Sequence, residues 1–417
     1  MEKKGLICGL LALCIGYANA QTTEKPILKL TENMQLQIGG FVRVEGYWDS
    51  RRNLDAVDGL VLFYPLDKKN DANGVDLNDQ SMANVSAVAS RLWTRFYGPD
   101  VLGAKSSAHI EFDFTGNQGA TLGLRFRQGW VKLDWGQHEL LMGRTWHPLF
   151  STAVMPSVMG LNTGLPFSPF NRSDQVKYTF KLNGLSLSAV AAYQGEYVSF
   201  GPEGKSNLYQ HRAVTPDLSA VIQYQTGGFT IGAVGNVKTL QPRDTVIKSG
   251  KVYQSTEKLT TYSTMFYTQY KTGLLTLKAN AMLGQNNYES LMAGGYAVKT
   301  KDATTGIETY TPTNHFTTWG NIVYGDKHEF GLFVGYLKNL GTSDNVGGKF
   351  YGRGGDIASA YRIAPHYTFT SGRFQFSPEV EYNVFEYGTP DAADKYKVKD
   401  THTISATRIL LTVMYNF

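Results

Sequence analysis

Cysteine is nearly missing from this chain. The 417 residues hold 2, Cys8 and Cys14, and both fall within the first twenty positions. Everything after Ala20 is therefore without disulfides, and an exported protein of this size would draw its stability from another source. Long apolar runs are missing as well. After the N-terminus no stretch offers the roughly 18 apolar residues in a row that a membrane-spanning helix needs. A chain without such a run can cross a membrane only as a closed barrel, which satisfies every backbone group in lipid. Charge of one sign is not in strong excess. Lys and Arg total 40 against 35 Asp and Glu, and the net +5 is spread along the chain, which leaves no footprint for nucleic acid. No G-x-S-x-G element is present to mark a hydrolase nucleophile.

What is present points in one direction. Met1-Glu2-Lys3-Lys4, an apolar run from Gly5 to Tyr17 and Ala18-Asn19-Ala20 form a basic region, a short hydrophobic region and an A-x-A site. This is the build of a signal peptide over residues 1–20, cleaved after Ala20. The chain then holds 44 Gly, 25 Tyr and 22 Phe, a composition suited to barrel strands edged by aromatic girdles.

A short periplasmic lead, residues 21–34, is expected before a barrel spanning 35–417. In Gln35 to Trp48, Leu36, Ile38, Val42 and Val44 share one face, while Gln35, Gln37, Arg43 and Glu45 share the other; this period of two marks a strand. Similar runs follow at 88–97, 104–114, 121–135 and 139–144. Further on they come in hairpins: 175–182 with 185–194, 218–225 with 229–238, 261–270 with 274–283, 316–324 with 329–337, and 360–369 with 374–387. The last strand is Thr403 to Phe417. Asn183-Gly184 is a strong two-residue hairpin signal. In 121–135 the apolar parity flips near Gln128-Gly129, which predicts a β-bulge at Gly129.

The count is sixteen strands, with short and long connections in strict alternation. That is the topology of an outer-membrane barrel, with short periplasmic turns and long outer loops. A soluble sandwich or propeller does not segregate its loops in this way. Terminal Phe417, on the face of Ile409, Leu411, Val413 and Tyr415, resembles the signal read by the barrel assembly machinery. Pairing this strand with the first would also remove both sheet edges.

An Arg or Lys on the lipid face costs about 2–4 kcal/mol at mid-membrane, so charged strand residues are expected to point inward. The basic set is Arg43, Arg91, Arg95, Arg125 and Arg127; Glu45, Glu111 and Asp113 are its acidic neighbours. Basic excess predicts anion preference. Mutual neutralisation is the competing expectation, since Arg43, Glu45, Glu111 and Asp113 are close enough in strand order to pair.

One stretch fits no strand. From Gly143-Arg144-Thr145-Trp146-His147-Pro148 to Pro169-Phe170-Asn171-Arg172-Ser173 the chain carries prolines at 148, 156, 166 and 169, which exclude a helix or central strand. It is nevertheless rich in Phe, Leu, Met and Val, too apolar for a solvated linker. The expectation is a loop folded into the bore as a constriction, carrying Arg144, His147 and Arg172. Packing against a neighbouring subunit is the alternative.

At this loop the sequence resembles the outer-membrane porins of Bacteroidetes-type bacteria, related to the DcaP-like trimeric porins. The resemblance rests on Leu124 to Leu133, Gly143 to Pro148, Leu161-Asn162-Thr163-Gly164 and Pro169 to Ser173. It implies a sixteen-stranded homotrimer of the outer membrane that passes small hydrophilic, often anionic, solutes. Two other functions were weighed. A surface receptor or adhesin would use the long loops, and a barrel enzyme would need a nucleophile–base pair or tuned carboxylates. No cofactor is implied. Residues 67–79 are rich in Asp and Asn oxygen suited to Ca²⁺, but they lack an EF-hand pattern, and such loops more often form Asx turns.

Overall fold

The computed structural model describes residues 27–116 and 122–417. The signal-peptide reading of 1–20 lies outside the described residues, as does most of the turn expected at 116–119.

Sixteen antiparallel strands close into a barrel. They are β1 (Met34–Asp49), β2 (Met82–Ser86 and Arg91–Tyr97), β3 (Lys105–Asp113), β4 (Arg125–Asp134), β5 (His138–Trp146), β6 (Arg172–Leu182), β7 (Leu185–Gln194) and β8 (Asp217–Thr226). The second half is β9 (Phe229–Leu240), β10 (Leu259–Thr272), β11 (Leu275–Gln285), β12 (Glu308–Gly325), β13 (His328–Thr342), β14 (Ile357–Ser371), β15 (Phe374–Asp391) and β16 (Lys397–Asn416). Each strand pairs with its neighbours in sequence. β16 returns to β1 in a ladder from Phe41↔Asn416 to Asp49↔Arg408. Gly40 and Phe417 extend that seam by exchanging both backbone hydrogen bonds at 3.1 Å.

Side-chain alternation divides the wall. Val42, Val44, Ile322, Phe330, Val380 and Ile409 are exposed outward, whereas Glu45, Asn321, Glu379, Glu381, Arg362 and Arg408 are buried on the inner face. Turn chemistry fixes the short end. At Asn183-Gly184 both φ angles are positive (48° and 84°), the conformation that a two-residue hairpin of this twist requires.

Several expectations are corrected. The lead before β1 is not plain chain: Ile27–Thr31 forms a strand that pairs with β1 through Lys29↔Gln35. The second strand is broken at 87–90, where Ser90 turns to bond the backbone of Arg43. The parity flip in β4 is real, but its extra residue is Arg127, between the pairs Glu111↔Gln128 and Phe112↔Phe126. Gly129 serves another purpose. A Cβ there would meet the Phe126 ring at 2.1 Å, so the glycine makes room for that ring on the outer wall. The later strands run past their expected ends, β12 by eight residues at its start. Apolar alternation stops where the wall leaves its apolar band, but the backbone ladder continues as hairpins of the long loops.

Candidate functional site

Residues 147–171 join β5 to β6 and pack against inner-face side chains. The aromatic groups of the segment's two ends hold each other: Trp146 stacks on Phe150 with centroids 4.3 Å apart, and Phe170 meets Trp146 edge-on at 5.0 Å. Its middle is seated on the wall. Phe167 is fully buried between Phe333 of β13 and Phe385 of β15, with the Arg362 guanidinium 5.6 Å from its ring. The seat exists because β13 carries Gly335, where a Cβ would come within 2.5 Å of the Phe167 ring. Polar groups complete the docking. Ser157 N donates to Asn321 Oδ1 (2.8 Å), and Lys278 Nζ donates to Ser157 Oγ (2.7 Å). Arg43 donates to the Met159 carbonyl.

Arg91 of β2, Arg125 and Arg127 of β4 and Arg172 of β6 form one tight cluster. Arg127 donates to Glu111 Oε1 and Asp113 Oδ2, both at 2.7 Å, and is almost fully buried. Arg125 binds Asp113 (2.7 and 2.9 Å) and reaches Glu196 at 3.0 Å. Arg172, completely buried, also holds Glu196 (2.8 Å) and lies 4.9 Å from the Trp146 ring centroid. Arg91 is 3.8 Å from Glu111 and lies over Phe41. Four arginines thus meet three carboxylates. Arg43 pairs with Glu45 (2.5 Å) on β1. The structure therefore joins Arg91, Arg125, Arg127, Arg172, Glu111 and Asp113 in one network.

Two expected site residues stand outside this network. Arg144 faces outward with Met142 and Val176, where it makes a two-bond pair with Asp174 (2.7 and 3.0 Å) beside Phe126. It leaves the expected constriction because it still belongs to β5, which runs to Trp146. His147 is a packed histidine. It is buried, its Nδ1 accepts from Leu149 N (3.3 Å), and its Nε2 lies 3.4 Å from Asp217 Oδ2.

Arg95 is different in kind. Its guanidinium lies 5.5 Å from the Trp130 ring centroid, Trp130 is stacked with His109 at 5.2 Å, and Arg95 makes no ion pair among the described residues. Lys177 on β6 likewise makes none. Both line a cavity of about 480 Å³ toward the short-turn end, roofed by Trp146, His147 and Phe150. A second cavity, of about 970 Å³, opens on the long-loop side. Leu161, Leu165 and Phe170 form its floor, and Asp55, Tyr64 and Arg353 are among its walls. Segment 147–171 thus contributes to both cavities. Sequence reasoning missed Glu196, which sits just past β7 in a loop and carried no periodic signal. It also missed the apolar inner seat of Phe333 and Phe385, because an inward face was taken to be polar.

The oxygen-rich loop at 67–79 turns its carboxylates on its own backbone. Asp71 Oδ1 accepts from Asn73 N and Val75 N (2.8 and 2.9 Å). Asp76 accepts from Lys69 N and Asn78 N (both 3.0 Å) and pairs with Arg51 at 2.8 Å. Slight burial pushes the Asp76 carboxyl up, but the two amides and Arg51 outweigh it and hold it at about 2. Among the described residues no group of three or more His, Cys, Asp or Glu side chains is placed to hold a metal.

No family model and no curated protein matches the sequence. Solved structures do match. The outer-membrane channel DcaP of Acinetobacter baumannii is 17% identical, with a TM-score of 0.67 over 94% of this chain and 99% of that one. The outer-membrane protein OmpT of Vibrio cholerae is 11% identical, with a TM-score of 0.56 over 94% and 100%. OmpF of Salmonella typhi, solved in complex with daunomycin, is 12% identical, with a TM-score of 0.53 over 94% and 100%. At these identities the likeness is one of fold: the chain is a closed sixteen-stranded antiparallel barrel of the architecture these outer-membrane proteins share.

Proposed function

We propose that the protein is an outer-membrane porin for passive diffusion of small hydrophilic solutes, with segment 147–171 as its constriction. The observation that carries this reading is the segment itself. It is bonded to inner-face residues of several strands and has a cavity on each side. An apolar outer wall around a charged interior fits a barrel in lipid with water inside. The reading includes export, with residues 1–20 removed as a signal peptide, and delivery to the barrel assembly machinery through the strand ending in Phe417. A homotrimer is the proposed assembly; one solved form of the V. cholerae OmpT is a trimer. The channel carries no chemical step.

Anion preference is retained in narrower form. Arg43, Arg91, Arg125, Arg127 and Arg172 are matched by Glu45, Glu111, Asp113 and Glu196, so their field at the bore is largely cancelled. The preference is assigned to Arg95 and Lys177, which line the lower cavity and make no ion pair among the described residues. Purified protein in liposomes should admit small sugars in a swelling assay, and planar-bilayer reversal potentials in a KCl gradient should favour chloride. Absence of solute flux would sink the porin reading; a reversal potential of cation sign would sink the anion assignment alone.

A further inference from the structure

Four consecutive residues of the segment, Met159 to Asn162, are met by three carboxylates of the wall. Met159 N donates to Glu379 Oε2 (2.9 Å) and Gly160 N to Glu379 Oε1 (3.1 Å). Leu161 N donates to Glu45 Oε1 (3.4 Å), and the Asn162 side-chain amide donates to Glu381 Oε1 (2.8 Å). Glu379 and Glu381 are on β15 and Glu45 is on β1, the two strands that flank β16. All three are at most 1% exposed, so none presents its charge to a passing solute.

The segment needs these acceptors. Its tip is neither helix nor strand, its amides at 159–161 have no partner within the segment, and a buried amide without a partner costs about as much as a lost hydrogen bond. Glu379 supplies two of the three bonds, one from each oxygen. The segment's own amides donate to both of its oxygens, and His366 Nδ1, at 3.8 Å, is beyond hydrogen-bond reach. The fit is close on the other side too. A Cβ at Gly160 would lie 3.0 Å from Glu381 Oε1 and 3.2 Å from Asn162 Oδ1.

We propose that Glu379, assisted by Glu45 and Glu381, is the positioning group that fixes the tip of the constriction against the β15–β1 wall and thereby sets the bore. The inference rests on the constriction reading of the segment. It assigns to these acids a role distinct from pore charge: they act through geometry, Glu379 by accepting two successive amides, and both the length of the side chain at 379 and its pair of acceptor oxygens matter. Aspartate keeps the two oxygens and loses the reach; glutamine keeps the reach but offers one acceptor where two amides arrive.

The test uses the absence of cysteine after residue 20. A lone thiol introduced as Val158→Cys, beside the tip, is labelled with a maleimide on the folded barrel in detergent. Labelling should be slow in this background and at least about tenfold faster when E379Q or E379D is added, the scale set by leaving a buried amide without its acceptor. Glu329→Gln, an inner-face acid that does not touch the tip, should leave the rate unchanged. In planar bilayers both variants at 379 should replace a steady conductance with a flickering one. Unchanged labelling and a steady conductance in both variants, with the barrel folded by its heat-modifiable gel mobility, would overturn the proposal. So would a wild-type-like E379D beside an E379Q that shifts only the reversal potential, since that pattern marks a pore charge. If the variants at 379 do not fold, Gly160→Ala presses on the same contact from the segment side, and an unchanged labelling rate there would also overturn it. Labelling does not depend on conduction. A tip that is protected in the parent and released in E379Q supports the positioning role even where no solute passes, an outcome that sinks the porin reading alone.

Discussion

Two stretches of the inner wall use their carboxylates in different ways. On β2 to β4 the carboxylates of Glu111 and Asp113 are held by Arg91, Arg125 and Arg127, side chain to side chain. On β15 and β1 the carboxylates of Glu379, Glu381 and Glu45 also accept from the backbone and side-chain amides of a loop, although Glu45 keeps its pair with Arg43 and Glu381 lies 3.6 Å from Arg362. The first arrangement is closed within the wall; the second is a socket. A census of charge along the strands does not show a socket, because it counts residues and not the atoms they bind. The same comparison explains why an arginine-rich wall need not be an anion filter. A guanidinium already forked onto two carboxylates offers little to a solute, whereas Arg95, stacked on Trp130, remains electrostatically free.

The contrast can be broken at several points. The largest effect is expected from Arg127→Ala, which leaves Glu111 and Asp113 buried without their shared cation. Removing one member of such a network costs about 3–5 kcal/mol, so the urea midpoint for barrel unfolding, followed by tryptophan fluorescence, should fall clearly. Phe167→Ala attacks the socket side. Emptying this seat removes about 3 kcal/mol of packing, drawn from loop docking and not from the strands. Single-channel conductance should rise while the unfolding midpoint stays near that of the parent. A midpoint falling as far as in Arg127→Ala would erase the distinction between the two walls. Replacing Arg95 and Lys177 together by Ala should lower the chloride-to-potassium permeability ratio roughly severalfold, while Arg125→Ala should change it less than about twofold. The reverse order would return the filter to the arginine cluster. The smallest effect concerns the outer loop at 67–79. Asp76 is held at about 2 against an ordinary 3.8, so its contribution is fully present above about pH 4 and is lost as pH falls through about 2. Protease sensitivity of this loop should stay flat from neutral pH to about pH 4, and Asp76→Asn should abolish any further acid dependence.

Much of the barrel was legible because its rules are local. Alternation placed β7 to β11 within two residues of their observed ends, and Asn183-Gly184 announced its own turn. The site was less legible, because its rules are not local. Glu196 and Arg172 are 24 positions apart in sequence and meet at the open end of the β6–β7 hairpin, just beyond the Ser173↔Gln194 pair, where the chain has left the strand and alternation no longer says which way a side chain points. Arg144 is expected in the constriction because it reads as part of the proline-rich loop, but the β5 ladder continues to Trp146, so Arg144 follows strand alternation outward and pairs with Asp174. Gly335 carried no signal at all, since an inward glycine in a strand reads as a gap until the ring that fills it is known. The bulge shows the intermediate case. The parity flip revealed that a residue was extra, but not that Arg127 was the one displaced, because either choice gives the same apolar pattern downstream.

The seat at Gly335 has an evolutionary consequence. Every glycine codon lies one base from an alanine codon, and the first carbon of that alanine would stand 2.5 Å from the Phe167 ring. A single-base mutation that changes no charged residue could therefore dislodge the segment and, if the protein is the porin proposed above, alter what enters the cell. A population under pressure from a harmful small molecule would hold, at one codon, a route to changed permeability that leaves the charges of the pore untouched.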